Sequence, residues 1–315
     1  MGFFAMNLLI LNANAREYLE ILGPKFPEVT IHAAESEGVV GTFVEHADIL
    51  LTIRVSDELL KKATKLKWIQ AMTTGTDYIE NLPSLRREVL LTSTRGIHGP
   101  QMSEMAIMLM IALGRRFPQI IRNQDQRVWD RWPAKLLYRK KVGILGVGVI
   151  GEAIAGKCKA FEMTTYGLDP VKREIDAVDY FYGLEKLNEV MSEVDYFICV
   201  APSTPQNQKM IGAEALSQMQ PSAYFINIGR GEVVDEEALI QTLSEKRIAG
   251  AALDSFWQEP LPADHSFWGM DNVIITPHVG GMSDIYVHQV LSVFEENLRR
   301  FVKGERRHLI NVIDP

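Results

Sequence analysis

From Met6 onwards, short apolar runs alternate with stretches in which hydrophobic residues recur at helical spacing. Over residues 6–95 the runs 6–11, 29–33, 48–53, 66–72 and 90–94 predict strands. Between them, Ala15–Lys25, a poorly defined segment near Gly38–Glu45, Ser56–Ala63 and a short piece around Tyr78–Val89 predict helices. Ser56 followed by Asp57 and Glu58 marks a helix start, because a hydroxyl accepts from orphan N–H groups and acids favour the positive end of the dipole. Met6–Leu11 followed by Ala13-Asn14-Ala15 has some features of an export leader. The run is short, contains Asn7 and follows no positive charge, so a first strand is the expectation.

Residues 96–100, GIHGP, form an irregular joint before a long apolar helix, Met102–Leu113. Gly114-Arg-Arg-Phe-Pro118 interrupts that helix, Gln119–Trp129 resumes it, and a loop through Trp132-Pro133 follows. Six further strands are predicted at 142–145, 164–168, 195–200, 223–228, 249–253 and 273–276. Leu184–Val194, Ala213–Met219 and Asp235–Lys246 are the helices among them. Ser283–Lys303 predicts one more helix, which a completed six-stranded sheet does not require and which returns to the N-terminal domain.

The first of those six strands leads into Gly146, Gly148, Val149, Ile150 and Gly151, a GxGxxG spacing continued by a helical pattern of small residues. Gly146 permits the tight turn, Gly148 lets the backbone approach a pyrophosphate, and Gly151 lets helix and strand pack closely. The N–H groups and dipole of the helix then hold the phosphates. Asp169, after the second run, stands where a carboxylate takes the adenosine ribose hydroxyls. The pattern predicts an α/β protein of two doubly wound parallel-sheet domains, a Rossmann dinucleotide-binding domain (100–283) inserted in a flavodoxin-like substrate domain (1–99 with 284–315).

Two domains suit a chain of 315 residues. A formal charge of −7 argues against a general binder of nucleic acid or anionic membrane. The cations Arg299, Arg300, Lys303, Arg306 and Arg307 read as a solvated helix end. Cys158 and Cys199 carry no CxxC or His-rich spacing, so neither a disulfide nor a metal site is expected, and buried thiols suit a cytoplasmic protein. No run approaches membrane-spanning length.

Three polar groups follow the last three predicted strands: Arg230 after 223–228, Glu259 after 249–253, and His278 after 273–276. Adjacent parallel strands would present them on the same edge as the cofactor. Oxidising a 2-hydroxy acid removes a hydride from C2, which a nicotinamide accepts, and a proton from the hydroxyl, which imidazole accepts near neutral pH. A carboxylate on the other ring nitrogen orients the imidazole, and a guanidinium grips the substrate carboxylate. His278 is therefore the expected acid/base, Glu259 its orienter and Arg230 the carboxylate and carbonyl anchor. At the edge of the first domain, Arg54-Val-Ser and Thr73–Asp77 follow strands and lie where ligands bind in such sheets.

NIGRGEVVDEEAL, the segment from Asp254 to Glu259-Pro260, ITPHVGG, the GVGVIG loop, APSTPQNQKMIG, LPADHSFW and the Thr73–Asp77 loop occur in order. Together they resemble the D-isomer-specific 2-hydroxyacid dehydrogenase family, which includes phosphoglycerate dehydrogenases and glyoxylate/hydroxypyruvate reductases. The resemblance covers nearly the whole chain. It implies a catalytic Arg230, Glu259 and His278, and an Asp254 that contacts the nicotinamide carboxamide. It implies cofactor-lining positions at Pro202, Ile228 and Gly280, and a substrate-carboxylate side at Arg54, Thr74 and Gly75. It also implies a homodimer formed through the segment after the hinge. The chain departs from the family at Ser103-Glu104, where Ala-Glu is usual, and His98 either lines the cleft or is a structural hinge residue. Trp257 either closes over substrate or packs.

Asp169 favours NAD, since a carboxylate repels a 2′-phosphate; Lys172 and Arg173 downstream would admit NADP if their side chains curl back. The expected partner is a small 2-keto or 2-hydroxy acid, with neither nucleic acid nor membrane. An alternative, a nicotinamide-sensing interaction protein resembling the family's co-repressor branch, retains the same three residues. Against it, the sequence carries no low-complexity acidic or Pro/Ser-rich tract.

Overall fold

The computed structural model describes residues 6–171 and 173–313. It divides into two compact units, one from the residues up to 97 with those from 283 on, the other from 98–282. The first begins with strands β1 (Met6–Leu11), β2 (Val29–Ala34), β3 (Ile49–Thr52), β4 (Trp68–Ala71) and β5 (Leu90–Thr92), and helices α1 (Ala15–Leu22), α2 (Asp57–Lys62) and α3 (Asp77–Glu80). The second holds helices α4 (Gly99–Gly114), α5 (Phe117–Gln126), α6 (Val149–Ala160), α7 (Leu187–Glu193), α8 (Ala213–Gln218) and α9 (Glu236–Ser244). Its strands are β6 (Lys141–Leu145), β7 (Thr164–Leu168), β8 (Tyr180–Tyr182), β9 (Tyr196–Cys199), β10 (Tyr224–Asn227), β11 (Gly250–Leu253) and β12 (Val273–Ile275). Helix α10 (Tyr286–Val302) and strand β13 (Val312–Ile313) complete the first unit.

In the first unit the strands run parallel in the order β2-β1-β3-β4-β5, with β13 antiparallel beyond β5. This is flavodoxin-type order, whose switch point lies between β1 and β3. Ser56 caps α2 by accepting from Leu59 N at 3.1 Å, as its position in the sequence predicts. The apolar side of α10 (Val290, Leu291, Phe294, Leu298, Phe301) joins the core around Trp68, whose ring lies 5.5 and 5.0 Å from those of Phe294 and Phe301. Buried Asn297 donates to Gln70 Oε1 and to Ile310 O and accepts from Ile310 N, so its side-chain amide is partnered on both its oxygen and its nitrogen.

The second sheet has the order β12-β11-β10-β9-β6-β7-β8, all parallel. Counted along this unit it is 3-2-1-4-5-6 with a seventh strand added, so the six-strand expectation is corrected. The third strand is β8, which the hydrophobic pattern misses, and 273–276 is the seventh rather than the sixth. The reason is physical: Tyr180-Phe-Tyr182 lies at the sheet edge, is nowhere fully buried and is only three residues long, too short a run to read as a strand. Interior strands face helices on both sides. Ile198 and Ile226 pack with Leu109, Leu113 and Ile154 from α4 and α6, while Phe197 and Phe225 pack with Val190, Leu216 and Leu239 from α7, α8 and α9. Burial on both faces is why these strands read as unbroken apolar runs. Each such Phe contributes about 2–3 kcal/mol of transfer free energy.

Other boundaries also differ from the pattern. Helix α4 starts at Gly99, three residues before the apolar run, because Pro100 in the first turn needs no intrahelical N–H partner. The helix expected near Tyr78–Val89 shortens to Asp77–Glu80. The break at Gly114–Pro118 is a left-handed Arg116 (φ 58°), after which α5 starts at Phe117. Among the described residues no helix is long and apolar enough to cross a membrane.

Candidate active site

In the second unit the parallel register brings the ends of six strands to one edge. Leu145 aligns with Leu168 and Cys199, Asn227 with Cys199 and Leu253, and Leu253 with Ile275. The glycine loop, Asp169, Pro202, Arg230, Asp254 and His278 therefore emerge from the same side. Gly146 has φ 94°, and a Cβ on Gly151 would stand 2.2 Å from Gly146 O. A Cβ on Gly148 would meet nothing within 4 Å. The helix after it, α6, is twelve residues long and presents its N-terminus to this opening. An open cradle bounded by a left-handed turn and a helix start fits a dinucleotide pyrophosphate. Val149 is exposed at that helix start, and Ile150 packs on the core.

Asp169 fixes the loop it faces. Its Oδ2 accepts from Val147 N at 2.9 Å and its Oδ1 from Val171 N at 3.0 Å. Arg173 stands beside it, Nη2 3.9 Å from Oδ2 and donating to Val147 O at 2.8 Å. Lys172 lies outside the described residues. Pro202 is exposed, and Asn207 shapes its loop by donating to Pro202 O and accepting from Thr204 N. The Ile228 side chain is 3 % exposed and belongs to the core, so only its backbone can reach a ligand.

The structure joins His278 and Glu259. Nδ1 of the imidazole lies 2.8 and 2.9 Å from the two carboxylate oxygens, and Glu259 Oε1 also accepts from Phe256 N at 3.2 Å. His278 holds this position with φ 53°, in the left-handed region. Asp254, 2 % exposed, holds the loop on both sides of it: Oδ1 accepts from Thr276 Oγ1 at 2.5 Å and Val279 N at 3.0 Å, and Oδ2 from Gly280 N at 3.0 Å. A Cβ at Gly280 would stand 2.9 Å from Asp254 Oδ2, so this approach requires glycine. Arg230 is set by Asn227, which is 1 % exposed, donates to Arg230 O at 3.0 Å and accepts from Gly229 N at 3.1 Å. The arginine and glutamate loops abut, since a Cβ on Gly231 would fall 2.1 Å from Phe256 C.

Trp257 is held at the same edge. Its indole N–H donates to Val234 O at 2.8 Å, and Lys209 Nζ lies 5.6 Å from the ring centroid, leaving the side chain 40 % exposed. His98 is buried, with Gly281 over it, and burial lowers its pKa from 6.5 to about 4. Both cysteines are buried and free, and burial pushes each thiol up to about 12, which keeps them protonated and inert.

In the first unit Arg54, Thr74 and Gly75 lie in the loops after β3 and β4. Thr73 Oγ1 donates to Gly75 O at 2.6 Å, and the Arg54 guanidinium carbon lies 3.9 Å from the Tyr78 ring centroid. Sequence reasoning missed Asn227, Thr276 and Asn207, which position the loops. Asn227 had one signal, an amide at the end of the otherwise apolar run 223–228.

Residues 107–280, more than half of the chain, match the family model described as D-isomer specific 2-hydroxyacid dehydrogenase, NAD binding domain. A D-isomer specific 2-hydroxyacid dehydrogenase family protein from Aeromonas salmonicida subsp. salmonicida A449 is similar in structure. It has a TM-score of 0.90 and 33% identity, over 98% of this chain and 99% of that one. An NADPH-dependent glyoxylate/hydroxypyruvate reductase from Sinorhizobium meliloti, in complex with NADP and sulfate, has a TM-score of 0.84 and 26% identity over 98% of each chain. The D-3-phosphoglycerate dehydrogenase of Methanocaldococcus jannaschii is 29% identical over 301 residues, 94% of this chain. The chain spans only 56% of that relative's length.

Proposed function

The chain belongs to the D-isomer specific 2-hydroxyacid dehydrogenase family, and on that premise we propose that it is an NAD(P)-dependent oxidoreductase. Its reaction is hydride transfer between nicotinamide and C2 of a small D-2-hydroxy or 2-keto acid. Residues 100–283 form the cofactor domain and 1–99 with 284–315 the substrate domain. The cofactor, when bound, supplies the hydride chemistry. Gly146, Gly148, Val149, Ile150 and Gly151 hold its pyrophosphate, and Pro202, the Ile228 backbone and Gly280 line its path. His278 takes the hydroxyl proton at Nε2 during oxidation and returns it to the keto oxygen during reduction, while Glu259 holds Nδ1 and fixes which nitrogen works. Arg230 binds the carbonyl and carboxylate, and Arg54, Thr74 and Gly75 take the substrate-carboxylate side.

The observation that carries this reading is the Glu259 carboxylate, 2.8 and 2.9 Å from His278 Nδ1, on the sheet edge that carries the glycine loop. The test is NADH or NADPH consumption with glyoxylate, hydroxypyruvate, pyruvate and bulkier keto acids. In it His278→Ala loses about 10²–10⁴-fold in kcat, and Arg230→Ala loses turnover and raises KM. Wild-type kcat/KM in both variants refutes the assignment. NAD is the preferred cofactor, because the Asp169 carboxylate is fixed at the end of β7 and repels a 2′-phosphate. A cytoplasmic location accords with two free, buried thiols. The protein is a homodimer through the segment after α4. Phe117, Ile120, Ile121, Val128, Leu136 and a 92 % exposed Trp129 concentrate exposed apolar surface there.

A further inference from the structure

We infer that Tyr78 is a positioning residue that orients Arg54 as an anion receptor, and so sets the affinity for the substrate carboxylate. The inference rests on the proposed role of Arg54 and adds a residue that neither motif nor family match points to. Arg54 leaves β3, which borders the β1/β3 switch point of the first unit, where open parallel sheets bind ligands beyond their strand ends. Its backbone is tied down by buried Thr52, whose Oγ1 donates to Arg54 O at 2.6 Å. Its side chain is exposed, and an exposed arginine ordinarily samples many rotamers and loses rotamer entropy when a ligand orders it.

Tyr78 removes part of that loss. The guanidinium carbon lies 3.9 Å from its ring centroid, close enough for a cation–π contact. The backbone that carries the ring is set in turn, because Tyr78 lies in the first turn of α3, just after the Thr73–Gly75 loop that Thr73 closes on itself. A ring covering one face of a guanidinium leaves the in-plane N–H fork to meet a planar oxyanion, the geometry in which arginine binds carboxylate with two parallel hydrogen bonds. The aromatic face is thus the part of Tyr78 that orients the guanidinium.

The experiment compares Tyr78→Ala, Tyr78→Phe, Arg54→Lys and Arg54→Ala in steady-state reduction of glyoxylate and hydroxypyruvate. Oxamate titration of each NADH-loaded variant supplies a readout separate from turnover. Tyr78→Ala should raise KM and the oxamate Kd about three- to fivefold, with kcat within about twofold, as expected for a cation–π contact to an exposed guanidinium. Tyr78→Phe should restore wild-type values, and Arg54→Lys, which keeps the charge and loses the planar fork, should behave like Tyr78→Ala. Unchanged KM and oxamate Kd in Tyr78→Ala overturn the proposal, as does Tyr78→Phe failing as badly as Tyr78→Ala. If Arg54→Ala itself leaves KM and the oxamate Kd at wild-type values, the parent reading of Arg54 falls and the proposal with it. That result is distinct from an effect of Arg54→Ala without one of Tyr78→Ala.

Discussion

Replacing Asp254 with Asn changes one buried oxygen to an amide and leaves the shape intact. In the native protein the carboxylate accepts three hydrogen bonds, from Thr276 Oγ1, Val279 N and Gly280 N, which bracket His278 in the chain. Asparagine has one acceptor oxygen, so its NH2 group must face either Gly280 N–H or the Thr276 and Val279 donors. Leaving a buried donor unsatisfied costs about 1–3 kcal/mol. His278 at φ 53° carries a further strain of about 1–2 kcal/mol, typical of an L-residue in the left-handed region, which the lost bonds no longer oppose. A loss near 2 kcal/mol in the held geometry corresponds to roughly thirtyfold fewer rings seated on Glu259. Asp254→Asn should therefore reduce kcat by about ten- to a hundredfold. NADH affinity, followed by nicotinamide fluorescence, should change little, and the thermal midpoint should drop by a few degrees. Intact kcat with weakened NADH binding would refute this argument and make the carboxamide contact the main task of Asp254.

Asp169→Ser should raise the NADP/NAD ratio of kcat/KM by about tenfold or more, because Arg173 stays while the repelling carboxylate goes; an unchanged ratio assigns ribose reading to another group. His98, with a folded pKa of about 4 against 6.5, makes stability depend on acid. Its neutral form is favoured by the fold, so its contribution is complete above about pH 6.5. It is lost as pH falls towards 4, by about 3 kcal/mol at most. Urea melts at pH 7 and pH 5 should show a smaller acid loss in His98→Gln than in wild type; equal losses would exclude His98 as the source. If the proposed dimer forms through the segment after α4, Trp129→Asp should convert it to monomer in light scattering; a dimer that persists would move the interface elsewhere.

How much of this was legible in the sequence depends on what each residue does for the chain. Interior strands such as β9 and β10 are marked because both their faces are buried, and the glycine loop because the left-handed Gly146 and the close-packed Gly151 leave no place for a side chain. The meeting of Glu259 with His278 was legible, because both follow the ends of neighbouring parallel strands and have complementary chemistry. Strand β8 was not, since an edge strand of three half-covered aromatic residues is too short a run to stand out. Asn227 and Thr276 were hidden for a different reason. Their work is to hold a neighbouring backbone, and a single amide or hydroxyl beside an apolar run looks like any turn residue. The Arg54–Tyr78 stack was equally opaque, because it joins a loop residue to a residue of α3 that no periodicity relates.

The seating of α10 against Trp68 bears on how the protein is made. The first five strands leave the ribosome long before the helix that seals their core, because the stretch from 98 to 282 is synthesised in between. At ordinary translation rates that delay is roughly ten to forty seconds. The inserted unit, continuous in the chain, can mature during this wait, while the earlier strands keep an uncovered indole that a chaperone can recognise. Nascent chains stalled just before residue 286 should therefore carry a protease-resistant middle and a protease-sensitive beginning.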